Sequence, residues 1–165
     1  MEVILVRHAI AHERNPRRWP DDSQRPLTPE GALKFRKGAR GIAACLPPKC
    51  LLLSSPFVRA RETASILAGV ARLPKAIECA ELAANQPAQR GFELLRSRKE
   101  PAVALVGHEP WLSEFLAEAL GGADARFDIE FKKGGAASLE FTGRPRPGGA
   151  TLRWLLPPRV LRSLR

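Results

Sequence analysis

Three apolar runs in this sequence each stop at side chains able to handle a phosphoryl group. Residues 3–6 end at Arg7-His8, residues 51–53 at Ser54-Ser55-Pro56 with Arg59 just beyond, and residues 102–106 at Gly107-His108. A phosphoryl group in transit spreads negative charge over its equatorial oxygens and needs donors fixed around it. Arginine suits this because its planar fork meets two oxygens at once and stays charged at any working pH. A neutral imidazole can attack phosphorus, splitting one difficult displacement into two easier ones. A second, protonated imidazole would add a donor to the same group. Helices starting at Ser55 and Glu109 would add backbone N–H groups and a favourable dipole.

Each of these residues also has a purely structural reading. A histidine after a strand is often only a hydrogen-bonded cap, and an arginine there is often a surface charge. What favours chemistry is the coincidence: ligands of open α/β sheets sit outside the carboxyl ends of the strands, and two of the three histidines fall there. His12 follows His8 by four residues, a spacing that pairs metal ligands only on a helix, whereas this segment leaves a strand. No metal site is expected, His12 is read as peripheral, and Arg14, Arg17 and Arg18 as loop charges or a substrate rim.

The elements that must position these residues alternate between buried strands and amphipathic helices. This predicts an α/β three-layer sandwich, a mostly parallel central sheet flanked by helices, in one domain spanning residues 1–165. Residues 12–27, with Pro16, Pro20 and Pro26, read as a long loop. Thr28 then caps a helix with Pro29 at its first position, and Ala32, Phe35, Ala39, Ile42 and Leu46 form its apolar face. A second helix is expected from Ser55 to about Val70, a weaker strand over 76–79, and a helix over 88–98. Pro110 opens a helix with Leu112, Phe115, Leu116 and Ala119 inward. Residues 136–141 and 151–156 read as two closing strands.

The bulk composition excludes several classes. Of 165 residues 44% are hydrophobic, enough for a core, and no apolar run approaches the roughly 20 residues that span a bilayer. Residues 1–6 do not resemble a secretory signal, so a cytoplasmic protein is expected, without a membrane partner. Cys45, Cys50 and Cys79 are odd in number and match no zinc spacing, and they read as reduced, with Cys45 and Cys79 in apolar surroundings. The formal charge of +10 is partly a tail effect, because Arg144, Arg146, Arg153, Arg159, Arg162 and Arg165 meet no acid in 141–165. Such a surface either attracts polyanions or is simply solvated. With no nucleic-acid module and no aromatic platform for bases, no nucleic-acid partner is expected.

The residues also carry a family resemblance. Val6-Arg7-His8-Ala9 resembles the Arg-His-Gly signature of the histidine phosphatase (phosphoglycerate mutase-like) superfamily. Residues Ser55-Pro56-Phe57-Val58-Arg59-Ala60-Arg61-Glu62-Thr63 resemble its Ser-Pro-x-x-Arg-Ala-x-x-Thr element. Val106-Gly107-His108-Glu109-Pro110 resembles its second-histidine motif, and Arg25-Pro26-Leu27-Thr28-Pro29-Glu30-Gly31 its Arg-x-Leu-Thr-x-x-Gly element. The short chain is most similar to the SixA-type branch, the protein phosphohistidine phosphatases. The resemblance implies His8 as nucleophile, Arg7, Arg59 and His108 around the phosphate, and Arg25 as a further phosphate or substrate contact. It implies no metal and no organic cofactor.

Two departures bear on that reading. Ala9 stands where the family has glycine, which is mildly unfavourable if the position needs positive φ. The segment after the third strand, 81–90, holds Glu81 as its only acid. Alkoxide leaving groups need a positioned acid, worth roughly 10²–10⁴-fold, whereas imidazole leaves with less help. This tilts the expectation toward a phosphohistidine in a protein, such as a histidine phosphotransfer domain, with Glu81 or Glu109 still able to serve as acid. Ser55, Glu81 and Glu109 are the further candidates for substrate contact. The alternatives are a phosphatase of small phosphomonoesters, sugar phosphate or nucleotide, and a non-catalytic basic module binding phosphate or polyphosphate.

Overall fold

The computed structural model describes residues 1–164, so Arg165, the last arginine of the basic tail, lies outside the described residues. Its strands are β1 (Glu2–Arg7), β2 (Leu51–Ser54), β3 (Ile77–Glu78), β4 (Ala102–Gly107), β5 (Ala136–Phe141) and β6 (Ala150–Leu156). The helices are α1 (Pro29–Cys45), α2 (Val58–Ala71), α3 (Gln89–Arg96), α4 (Trp111–Gly121) and α5 (Pro158–Leu161), with 3₁₀ turns at Asp22–Gln24 and Ala80–Leu82. The strands form one sheet in the order β3-β2-β4-β1-β5-β6. The pairs β3–β2, β2–β4 and β4–β1 are parallel, and β5 runs antiparallel to both β1 and β6.

Alternation along the strands builds the two outer layers. Ile4, Val6, Leu52, Ala104 and Val106 face a cluster with Phe35, Ala39 and Ile42 of α1, Ala60, Ala64 and Leu67 of α2, and Leu161 of α5. Val3, Leu5, Leu53, Val103 and Leu105 face the other way, onto Phe92 and Leu95 of α3 and Trp111, Leu112 and Phe115 of α4. Successive strand side chains point to opposite faces, so a central strand that reads as a continuous apolar run feeds two cores at once. Each fully buried Leu, Ile or Phe contributes about 1.5–3 kcal/mol. The expected three-layer sandwich is the observed architecture.

Local chemistry fixes the entry to α1. The Thr28 side chain accepts the Gly31 N–H at 2.9 Å, and Pro29 needs no intrahelical partner for its nitrogen. Gly31 is required for another reason: a Cβ there would lie 2.1 Å from the Ile10 carbonyl oxygen. Helix and post-β1 segment therefore pack backbone to backbone. Thr28 N–H also donates to that carbonyl, and a bridge pairs Ala11 with Leu27.

Several boundaries depart from the sequence reading. Helix α2 begins at Val58 rather than Ser55, because Ser55 and Pro56 leave the strand in a turn in which the Ser55 hydroxyl accepts the Phe57 N–H at 3.2 Å. Helix α4 begins at Trp111, two residues after Glu109. Neither expected helix start at Ser55 or Glu109 is where the first turn forms. The loop over 12–27 contains the 3₁₀ turn, capped by the Asp21 side chain on Ser23 N–H. Cys50 and Cys79 are the buried cysteines, with Cys45 only partly covered, and all three are free.

Candidate active site

The register of the sheet brings the candidate residues together. Arg7 pairs with Gly107 across β1–β4, and Ser54 pairs with Val106 across β2–β4. His8, Ser55 and His108 therefore leave the same edge side by side. The His8 and His108 ring centroids lie 5.0 Å apart, and Phe57 lies 5.0 Å from His108 on its own account. His8, Arg59 and His108 are all buried.

His8 has one defined tautomer. Its Nδ1 lies 2.7 Å from the Ala9 carbonyl oxygen. A carbonyl can only accept, so Nδ1 carries the hydrogen and the lone pair sits on Nε2. Burial, with Arg59, Arg7 and Lys133 nearby, pushes His8 down to about 3 despite the bond to Ala9. The ring is thus neutral and nucleophilic at neutral pH. Burial, reinforced by His8 and the arginines, likewise pushes His108 down to about 2. A second proton on His108, and with it the protonated donor expected from the sequence, is therefore favoured by the negative charge of a bound phosphoryl group.

The four principal side chains are anchored on one side and free on the other. Arg7 Nη1 donates to the Phe131 carbonyl at 2.5 Å. Arg59 donates from Nη1 to the Asp22 carbonyl at 2.9 Å and pairs through Nη2 with the Asp22 carboxylate at 3.3 Å. His108 Nε2 lies 2.8 Å from the Ser55 hydroxyl. Arg7 Nε, Arg59 Nε and His108 Nδ1 are buried with no protein partner. Orphaned buried polar groups cost about 1–3 kcal/mol each, and three on neighbouring residues suit an anion with several oxygens.

The backbone around His8 is held just as firmly. Ala9 N–H donates to the Thr63 hydroxyl at 3.0 Å, and that hydroxyl donates to the Arg59 carbonyl at 2.7 Å. Gly134 N–H reaches both the Arg7 and His8 carbonyls at 3.1 Å, from a backbone with φ of 77° that favours glycine. Ala9 has no such constraint. It is absent from the positive-φ residues among those described, and its methyl is buried with Ala11, Leu27 and Phe35. The departure from glycine is accommodated as a core contact.

The remaining candidates occupy less central places. Arg25 donates from Nε to Asp22 at 2.8 Å and from Nη1 to the His12 carbonyl at 2.6 Å, so it braces the loop over 12–27. His12 packs on Trp19 at 5.2 Å. Glu109 accepts from the Ser113 hydroxyl at 2.6 Å, leaves Oε1 buried without a partner, and is pushed up by burial. Glu81 sits half-buried on the second 3₁₀ turn, with no hydrogen bond or ion pair to the two histidines. Asp22, Thr63, Phe131 and Gly134 were not singled out in the sequence. For Thr63 the signal was its place at the end of the Ser-Pro-x-x-Arg-Ala-x-x-Thr element. For Gly134 it was the Gly-Gly dipeptide before β5.

The family model of the histidine phosphatase superfamily (branch 1) matches residues 3–84. The chain belongs to the histidine phosphatase superfamily. Its fold is similar over 98% of this chain and 99% of the other to the protein histidine phosphatase SixA solved with tungstate, at 25% identity and a TM-score of 0.81. A protein assigned as the phosphohistidine phosphatase SixA of Agrobacterium tumefaciens matches at 26% identity and TM-score 0.75, over 94% and 97% of the two chains. A phosphoserine phosphatase of Entamoeba histolytica shares the fold at 14% identity and TM-score 0.70, over 99% of each chain. An uncharacterized protein of Picosynechococcus is 30% identical, over 95% of this chain and all of its own length. Within the superfamily the chain is of the SixA type, and it is a phosphatase. Among the described residues, no helix is long and apolar enough to cross a membrane.

Proposed function

We propose that this phosphatase removes phosphate from phosphohistidine in a protein, with His8 Nε2 as the nucleophile. The observation that carries the reading is the fixed His8 tautomer, its bare Nε2 accompanied by the unpartnered Nε–H groups of Arg7 and Arg59 and the unpartnered Nδ1 of His108. In the first step Nε2 bonds to phosphorus as the substrate's P–N bond breaks. A substrate imidazole protonated at its other nitrogen leaves as neutral imidazole with the electron pair, so it needs no proton from the protein. Arg7, Arg59 and His108 stabilise the equatorial oxygens. Water then attacks phosphorus, the bond to Nε2 breaks, and inorganic phosphate leaves with the water's oxygen.

The choice of a P–N substrate rests on two supports. Glu81 makes no hydrogen bond to the site, and the similarity to SixA covers almost the whole of both chains. Small phosphomonoesters are the second reading, favoured by the raised Glu109 carboxyl, which stays protonated longer than an ordinary one and could protonate an alkoxide. Measuring kcat/KM for a phosphorylated histidine phosphotransfer domain against a panel of phosphate esters separates them. The P–N reading expects the protein substrate to lead by about 10²-fold or more. An ester that leads instead moves the assignment to the second reading.

A further inference from the structure

Asp22 stands between two arginines of the site edge and touches both. Its carbonyl oxygen accepts from Arg59 Nη1 at 2.9 Å, and its Oδ2 pairs with Arg59 Nη2 at 3.3 Å. Its Oδ1 accepts from Arg25 Nε at 2.8 Å, while Arg25 Nη2 donates to Oδ2 at 3.3 Å. The turn that presents it is pre-formed, because Asp21 accepts from Ser23 N–H at 2.9 Å and from the Ser23 hydroxyl at 2.7 Å. The result is selective for Arg59: both terminal nitrogens are engaged, while Nε is buried and without a partner. The Phe57 ring, 5.0 Å from the guanidinium carbon, supports the same orientation.

Resting on the phosphatase reading above, we propose that Asp22 is a positioning residue for the phosphoryl site, fixing which edge of Arg59 meets the phosphate and holding Arg25 beside it. A guanidinium offers five N–H groups in a rigid plane, so fixing two of them aims the rest. Two like charges would otherwise repel, and a carboxylate between them offsets this. The same carboxylate opposes the binding of a phosphate dianion, so it keeps the site from holding its product too tightly. Geometry and charge thus act in opposite directions on affinity, and two variants separate them.

Asp22→Ala removes the carboxylate entirely. Asp22→Asn keeps an oxygen for Arg25 and leaves the backbone carbonyl on Arg59, but removes the charge. Turnover and the affinity for inorganic phosphate, the latter by calorimetry, are compared with the wild-type protein. Asp22→Ala is expected to lower kcat about tenfold while phosphate binds several-fold more tightly. Asp22→Asn is expected to recover most of kcat and to keep the tighter phosphate binding. Unchanged kcat and phosphate affinity in Asp22→Ala would overturn the proposal. So would parallel losses of kcat, phosphate affinity and thermal midpoint in both variants, which is the behaviour of a merely structural residue. The calorimetric arm needs no substrate, so a wrong substrate class and a wrong role for Asp22 give different results.

Discussion

The Thr63 hydroxyl accepts the amide hydrogen of Ala9 at 3.0 Å across 54 residues of chain. The same hydroxyl donates to the Arg59 carbonyl, so a single side chain ties the backbone beside His8 to the helix that carries Arg59. Ala9 in turn supplies the carbonyl that sets the His8 tautomer. One hydroxyl thereby fixes the backbone beside both the proposed nucleophile, His8, and the proposed phosphate contact, Arg59.

Thr63→Val keeps the shape and removes the hydroxyl. It leaves the buried Ala9 N–H without a partner, which costs about 1–3 kcal/mol of stability. Misplacement of His8 should lower kcat about tenfold or more with a smaller change in KM. Urea unfolding and steady-state kinetics on the purified variant check both numbers. Wild-type kcat would show that His8 is held by other contacts.

Gly31→Ala tests the backbone packing beneath the site. The added methyl would meet the Ile10 carbonyl oxygen at 2.1 Å, and backbone cannot yield as a flexible side chain can. A loss of about 1–3 kcal/mol is expected, seen as a lower thermal midpoint. A midpoint equal to wild type would mean that α1 and the segment after β1 slide apart at little cost.

These two residues show how much of the site could be read beforehand. The sequence motifs placed His8 and His108 side by side at one sheet edge, with Arg7 closing β1 and Arg59 on the helix after β2, since apolar runs and their abrupt ends mark the strand termini. Thr63 and Gly31 were visible as letters of those motifs, but their work is tertiary: each contacts the segment after β1, across a distance that no local pattern reports. Asp22 was harder still. It lies in a Pro-rich polar stretch whose 3₁₀ turn depends on the Asp21 cap, and only the fold brings it to Arg59. The start of α2 was misplaced for a similar reason, since Ser-Pro is a common helix opening and here belongs to a turn instead.

The histidines predict a pH dependence of stability. Both are neutral in the fold, with His8 pushed down to about 3 and His108 to about 2 from an ordinary value of 6.5. Below pH 6.5 the unfolded chain binds protons that the native protein does not, so stability falls as pH drops from 6.5 toward 3. The slope is up to about 1.4 kcal/mol per pH unit for each histidine. Urea midpoints at pH 7 and pH 5 should differ accordingly, and His8→Asn should shrink the difference. Equal midpoints for the wild-type protein would show that the histidines take up protons in the fold.

The most direct test is to mix the enzyme with a ³²P-labelled phosphohistidine protein, quench within milliseconds, and map any covalent label. An acid-labile, base-stable phosphate on His8, formed at a rate no slower than turnover and absent in His8→Ala, is the predicted result. His8→Ala should still bind inorganic phosphate through Arg7, Arg59 and His108. Full turnover by His8→Ala, or label found only on another residue, would contradict the assignment of His8 as nucleophile.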